Sequence, residues 1–394
     1  MYSVPSLTKF IILYTALYAA FGVISPFLPV FLSDRGLAAE QIAAVIASGM
    51  AVRLLSGPLA GRFSDRHGVW RGLLSCCAGI AAVVALVYLP AHGFWALLLV
   101  SLAQASLLAP LAPVADALAL SASAPAFGKG FEYGWVRGAG SAAFIAGSIT
   151  AGHVASSLGI AVIIWLNAIL LGAAALAALP LPDIAGQSSQ RATEQEAGSM
   201  RILLQIPAFR RLLLVAALVL GSHALHDTFA VIRWHAAGIS TRTASFLWSE
   251  SVGAEVLVFF LIGPPLVRRL GPPRALALAA AAGVLRWTVM GASTQVIPLA
   301  LVEPLHGFTF ALLHLACMAL IAQTVPSRFA ATAQALYGTV AVGTSTAFLT
   351  LGSGWLYGTI GGQGFWVMAA LCAAAIPLAR GLGLPRRSEL ARDH

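Results

Sequence analysis

Long apolar stretches and short polar joints alternate along this chain from end to end. A helix needs about 20 apolar residues to cross the hydrocarbon core of a bilayer. Twelve stretches meet that length: 9–33, 38–60, 71–90, 94–121, 134–155, 159–180, 209–233, 241–265, 275–293, 296–321, 333–357 and 363–383. They are numbered here as segments 1 to 12. The joints are short except for 181–208, which is rich in Gln, Ser, Glu and Arg. That stretch divides the segments six and six and reads as a polar tether. The pattern predicts an all-α membrane protein of twelve transmembrane helices in two six-helix bundles. The expected parts are an N-terminal bundle (1–180), a cytoplasmic linker (181–208), and a C-terminal bundle with a cytoplasmic tail (209–394). Two prolines interrupt segment 4, Pro110 and Pro113, where each lacks an N–H and clashes with the preceding turn.

Composition strengthens the membrane reading. Of the 394 residues 59% are hydrophobic and 9% charged, against about 25% charged in a soluble domain. A chain this apolar needs lipid as its surface. The net charge of +9 raises the question of nucleic acid, and its distribution answers against it. Most Lys and Arg fall in alternate joints and at the chain ends, in groups such as Arg62, Arg66 and Arg71, Arg210 and Arg211, and Arg268, Arg269 and Arg274. The opposite joints hold only Arg35 and Arg242. This positive-inside bias places both termini in the cytoplasm. The run Phe10–Leu32 is too long for a secretory signal, and no clear cleavage site follows it. Cys76, Cys77, Cys317 and Cys372 lie in apolar segments without zinc-like spacing to His, and read as small hydrophobic fillers.

Against this background six ionisable residues stand out: Asp116, Arg137, Glu255, Arg286, Glu303 and His306. A charge at the bilayer centre costs at least about 2.5–3.5 kcal/mol, so such residues face the bundle interior, pair, and mark ion or substrate paths. Asp116 and Arg137 are expected at similar depth on antiparallel neighbours, where a carboxylate and a guanidinium form a bidentate pair. Glu303 precedes His306 by three residues, on one helical face. In segment 7, His223, His226 and Asp227 cluster, with His223 and Asp227 one turn apart as cavity-lining candidates. A metal site there would lack further ligands. Arg53 in segment 2 either snorkels or pairs with an acid. His314 reads as a hydrogen-bonded packing residue. Tyr14, Tyr18 and Phe21 form an aromatic stripe on segment 1, as packing or as a substrate wall.

The joint after segment 2, Gly61-Arg-Phe-Ser-Asp65-Arg66-His-Gly68-Val-Trp-Arg71, has an echo after segment 8. Arg66, Gly68 and Arg71 recur as Arg269, Gly271 and Arg274, as parallel internal repeats would. This loop resembles the signature of the major facilitator superfamily between its helices 2 and 3. There it forms a cytoplasmic gate, which carries over to Gly61, Asp65, Arg66, Gly68 and Arg71, with Asp65 capping a helix and pairing with Arg. Val69 and Trp70 stand where the family usually has basic residues.

The run Phe131-Glu-Tyr133-Gly-Trp-Val-Arg137, with Asp116, resembles the lactose permease branch and, more closely, the phenylpropionate transporter family. The resemblance implies substrate binding by Asp116 and Arg137. Val284-Leu-Arg286-Trp287 and Glu303-Pro-Leu-His306-Gly-Phe look like that branch's helices 9 and 10, and Glu255 approximately matches its helix 8 glutamate. The implied proton site is then Arg286 and His306, but Thr309 occupies the position of the branch's third member, a carboxylate. Glu303 and Glu255 are the two candidate carriers. Trp234-His-Ala-Ala-Gly238, Leu247-Trp-Ser-Glu-Ser-Val-Gly-Ala-Glu255 and Gly364-Phe-Trp-Val-Met-Ala369 extend the resemblance to phenylpropionate transporters.

The resemblance implies a proton-coupled symporter for a small aromatic carboxylate such as 3-phenylpropionate, working by alternating access in the cell inner membrane. Substrate-binding candidates are Asp116, Arg137, Tyr14, Tyr18, His223 and Asp227. Proton-coupling candidates are Glu255, Arg286, Glu303 and His306. No cofactor beyond the proton gradient is expected, and the expected state is a monomer in the bilayer. The alternatives are symport of a sugar, nucleoside or other organic solute, and drug/proton antiport. Segment 5 (Gly138-Ala-Gly140-Ser…Gly152) lacks the proline of the exporters' motif. A membrane enzyme or sensor would need a nucleophile–base or metal constellation, which the sequence does not offer.

Overall fold

The computed structural model describes residues 6–123, 131–182 and 195–382, with the side chains of Asp65 and of 195–199 outside the description. Among the described residues there are helices and no strands. Lipid offers no partner to a backbone N–H or C=O, so a spanning segment must satisfy its own, and a helix does so. Every one of the twelve predicted segments is helical. Several are broken, and the breaks fall where the sequence removes a donor or where the turn widens.

Segment 1 is Ser6–Ile24 and Leu28–Asp34, parted at Pro26. Segment 4 is Phe94–Leu108 and Leu111–Ser123. Pro110 makes that break. Pro113, read from the sequence as a second break, lies in the first turn of the second piece, where a missing N–H costs nothing. Segment 7 parts between Pro207–Gly221 and Ala224–Ala236. Segments 8, 10 and 11 contain π-helical turns at Val258–Ile262, Phe308–Leu312 and Tyr337–Thr344. Segments 2, 3, 5, 6, 9 and 12 are Ala39–His67, Trp70–Val87, Tyr133–Leu158, Val162–Ala178, Pro272–Ala292 and Gly364–Arg380.

The linker departs from a plain tether. Gln195–Gln205 is a helix. Its sequence Met200-Arg-Ile-Leu-Leu carries enough apolar surface to dock, and Leu203 is fully buried among segments 7 and 11.

Contacts group the described residues into two units. The first draws on 1–191, 225–253 and 350–361, and the second on 192–224, 254–349 and 362–394. In the first unit, segment 1 packs along segments 5 and 6. A Cβ on Gly147 would lie 2.9 Å from Ala19 Cα, and one on Gly22 would strike the backbone of Phe144. Only glycine permits this backbone approach, the usual device for holding helices together where lipid supplies no hydrophobic drive. Asn167 Nδ2 of segment 6 donates to Ala20 O at 2.9 Å. In the second unit, segment 9 packs on segment 12, and segment 7 on segments 11 and 12. Large apolar residues such as Trp95, Leu55 and Ile297 point outward, 73%, 69% and 74% exposed, the surface a bilayer covers.

Candidate functional site

In the first unit, Tyr14 and Tyr18 share one face of segment 1 and stack with ring centroids 5.4 Å apart. Segments 4 and 5 bring Asp116 and Arg137 to that face. The expected ion pair between them does not form: no salt bridge joins them. Two phenols intervene. Tyr14 and Tyr133 both donate to Asp116 Oδ1, the latter at 2.8 Å. Arg137 donates to the Tyr18 hydroxyl, and its guanidinium lies 5.0 Å from that ring's centroid. Asp116 thus takes hydrogen bonds from neutral donors, and Arg137 gives one to a neutral acceptor. Tyr14 is fully buried, while Tyr18, Asp116 and Arg137 keep partial access. Tyr133, missed as a site residue by sequence reasoning, belongs to the group. Its position four residues before Arg137, on one helical face, was the available signal.

The second unit holds a continuous charged chain. Arg286 Nη2 meets Glu303 Oε2 at 2.7 Å, and both side chains are fully buried. Arg286 Nη1 lies 3.1 Å from His306 Nδ1, and His306 Nε2 lies 3.3 Å from Glu255 Oε2. A guanidinium only donates, so His306 Nδ1 accepts and its proton sits on Nε2, facing Glu255. The four residues predicted from sequence are therefore one network, in the order Glu255, His306, Arg286, Glu303. Glu255 keeps 30% of its side-chain surface accessible. The Arg286 guanidinium also lies 4.5 Å from the Trp287 ring centroid.

Thr309 is not idle. His223 Nε2 lies 2.9 Å from Thr309 Oγ1, which also reaches His306 O at 3.2 Å. The His223 ring packs edge-on to Trp287 and His306, at 5.3 and 5.2 Å. His223 thus borders the proton-candidate chain, where the sequence suggested a cavity wall. Trp287 Nε1 donates to Ser222 Oγ at 2.8 Å, and that oxygen lies 3.2 Å from Cys372 Sγ. Asp227 keeps company with His226, at 3.0 Å, and the His226 ring stacks on Trp248 at 5.1 Å. Among the described residues no group of three His, Cys, Asp or Glu could hold a metal ion.

A cavity of about 410 Å³ in the second unit is lined by Phe310, His314, Met318, Gln334 and Tyr337, among others. His314 Nδ1 lies 3.3 Å from the Tyr337 hydroxyl. Sequence reading placed His314 in packing alone. The cavity depends on π-helical turns in segments 10 and 11, which hydropathy does not signal.

Of the proposed gate, Gly68 ends segment 2 with φ +66° and caps it by donating to Ser64 O at 2.8 Å. Left-handed backbone at a helix end is glycine's position. Arg71 reaches Leu179 O and Leu181 O at 3.4 and 3.3 Å, a cation on the carbonyl end of segment 6. Arg66 is exposed, Gly61 has open space beside it, and the Asp65 side chain lies outside the described residues.

Broken membrane helices with charged, mutually paired interiors define a secondary transporter. The family model described as MFS_1 like family matches residues 7–368, and the chain belongs to that family of major facilitator transporters. It is a multi-pass membrane transporter, not an enzyme. It is 34% identical over 372 residues to the "Probable 3-phenylpropionic acid transporter" of Escherichia coli (strain K12), covering 92% of this chain and 94% of the relative. It is 25% identical over 350 residues to the "Maltose permease" of Geobacillus stearothermophilus, covering 89% and 87%. The nucleoside transporter NupG shares the fold, with TM-score 0.83 at 17% identity over 96% of this chain and 98% of that one.

Proposed function

We propose that the protein carries a small aromatic carboxylate of the phenylpropionate type into the cell together with a proton. It would work by alternating access between bundles formed by 1–180 and 209–394, as a monomer in the inner membrane with both termini in the cytoplasm. The observation that carries the proton-coupled reading is the unbroken chain from Glu255 through His306 and Arg286 to Glu303. Protonating Glu303 would strand Arg286 as a buried, unpaired cation. Breaking a buried pair in that way costs about 3–5 kcal/mol. Protonating Glu255 gives up only its contact with the neutral His306. Glu255 is therefore the carrier, and Glu303 holds Arg286 in place. Thr309 supplies no carboxylate, and the relay does not need one there.

On the substrate side, Arg137 can exchange its neutral phenol partner for a carboxylate, a stronger charge-assisted partner. Tyr18 and Phe21, 5.6 Å apart and edge-on, present rings to an aromatic tail beside it. Asp116 acts through Tyr14 and Tyr133, fixing the aromatic wall. The name of the Escherichia coli relative, 34% identical along nearly the whole chain, supports this substrate class. A sugar or nucleoside is the second reading, favoured by the 25% identity to a maltose permease.

The test is uptake of labelled 3-phenylpropionate, with maltose and a nucleoside as controls, in cells expressing wild type and Arg137→Ala. Accumulation should require the proton gradient, collapse with a protonophore, and vanish in the variant. Accumulation that ignores the protonophore refutes coupling. Transport of a control in place of the aromatic acid moves the substrate to the second reading.

A further inference from the structure

The first unit contains an arginine that none of the interactions above employ. Arg53 sits midway along segment 2, Ala39–His67, and its side chain is exposed. No acidic side chain lies within salt-bridge distance of it among the described residues. Arg286 is neutralised by Glu303 and Arg137 is engaged by Tyr18, but Arg53 has neither kind of partner. A cation at mid-span without a counter-ion is costly unless water or an anion reaches it.

Arg53 borders a cavity of about 110 Å³ inside the unit, between segments 1, 2, 4 and 6. A buried water needs roughly 10–15 Å³ on this measure, so the space exceeds a single solvent site. Its wall contains an independent irregularity. Gln104 is 7% exposed, and its Oε1 has no hydrogen-bond partner among the described residues. A buried, unpartnered amide is rare enough to require an explanation. The neighbouring polar groups are satisfied: Tyr88 donates to Ser101 Oγ at 2.9 Å, and Asn167 donates to Ala20 O. The remainder of the wall is aliphatic, including Ile24, Val45 and Ile164.

We infer that this cavity is a second binding site for a small carboxylate, separate from the one at Arg137. The guanidinium of Arg53 takes the two carboxylate oxygens in its planar fork. The Gln104 amide, turned about its terminal torsion, presents its N–H to the same anion. The aliphatic wall accepts the apolar carbon next to the carboxylate. The chemistry excludes an ammonium ligand, which Arg53 would repel. The identity of the carboxylate rests on the transport reading above, while the existence of the site does not.

The test is equilibrium binding to the purified full chain in lipid nanodiscs, with labelled 3-phenylpropionate, acetate and chloride as probes. Wild type should bind two equivalents of 3-phenylpropionate. Arg53→Gln should bind one, with the lost site weakened at least tenfold. Arg53→Lys should hold it more weakly than wild type, because an ammonium lacks the fork. Gln104→Leu removes the amide with little change of volume and should weaken the same site, which gives a second variant if Arg53→Gln fails to fold by thermal melting. Unchanged stoichiometry and affinity in both Arg53→Gln and Gln104→Leu overturn the inference and leave the transport reading intact. If 3-phenylpropionate does not bind wild type, that substrate reading falls instead. Acetate binding lost in Arg53→Gln then sustains the second site, and chloride binding without acetate binding overturns it.

Discussion

Replacing Glu303 by glutamine is the sharpest perturbation the second unit offers. The substitution keeps size and shape but removes the charge facing Arg286 at 2.7 Å, where both side chains are fully buried. Loss of one partner from a buried ion pair costs about 3–5 kcal/mol, because the other charge is left without compensation. Arg286 keeps two consolations. Its contact with the Trp287 ring is worth about 0.5–2 kcal/mol, and its hydrogen bond to His306 is worth about 1.5–3 kcal/mol, as for a bond to a charged group. Both exist already in the wild type, so neither offsets the new loss. Removing both charges, as Arg286→Met with Glu303→Gln, should recover most of the stability, since an apolar replacement of a buried pair is often neutral or better. Reversible unfolding in mixed micelles of wild type, both single variants and the double variant gives the coupling by a double-mutant cycle. The expected coupling is at least about 2 kcal/mol, within the range seen for contacting residues. A Glu303→Gln protein within about 0.5 kcal/mol of wild type, the ordinary scale of a neutral surface substitution, would refute the account of a dry, mutually dependent pair.

Three further outcomes follow from named contacts. Glu255→Gln should abolish uphill accumulation while substrate exchange across the membrane continues, read by comparing net uptake with counterflow. Loss of both would show that Glu255 is structural. Gly147→Val should destabilise the first unit by at least about 1–3 kcal/mol, the cost of overpacking, because its Cβ would lie 2.9 Å from Ala19 Cα. Thermal unfolding of the purified variant measures this. Gly68→Ala should cost about 1 kcal/mol or somewhat more, since an L side chain must adopt the left-handed φ of +66° there. The same unfolding measurement checks it, and Gly61→Ala, with open space around it, serves as the neutral comparison.

Helix count, the polar mid-chain stretch and the grouping of Glu255, Arg286, Glu303 and His306 were all legible from residue order. Charges in an apolar chain have few ways to be satisfied, and Glu303 and His306 were close in sequence already. The Asp116–Arg137 pair was legible as a neighbourhood and wrong as a bond. Whether a guanidinium meets a carboxylate or a phenol depends on how each helix is rotated. In a soluble helix the apolar stripe reports that rotation. In a membrane helix the lipid side and the packed side are equally apolar, so the pattern carries little rotational information. Tyr14, Tyr18 and Tyr133 settled the matter locally, and nothing in their spacing said which would face Asp116. The cavity beside Gln104 was hidden for a related reason, because it exists only where four segments meet. Pro113 misled through position: two prolines three residues apart look like two breaks, yet a helix restarting after the first accommodates the second in its opening turn. The helix at Gln195–Gln205 was masked by its polar setting, although Ile202, Leu203 and Leu204 were visible within it.

The wide turns at Val258–Ile262, Phe308–Leu312 and Tyr337–Thr344 fix something besides shape. A π-helical turn holds one residue more than an α-helical turn. Deleting a single residue from any of the three would let an ordinary helix close, and everything downstream in that segment would swing by about 100°, the angle of one residue at 3.6 per turn. Loss of one residue from Phe308–Leu312 would carry His314 away from the Tyr337 hydroxyl without altering a single side chain. In these three places the protein's length is itself a functional parameter. Chains that share the fold should differ there by substitution far more readily than by gaining or losing a residue.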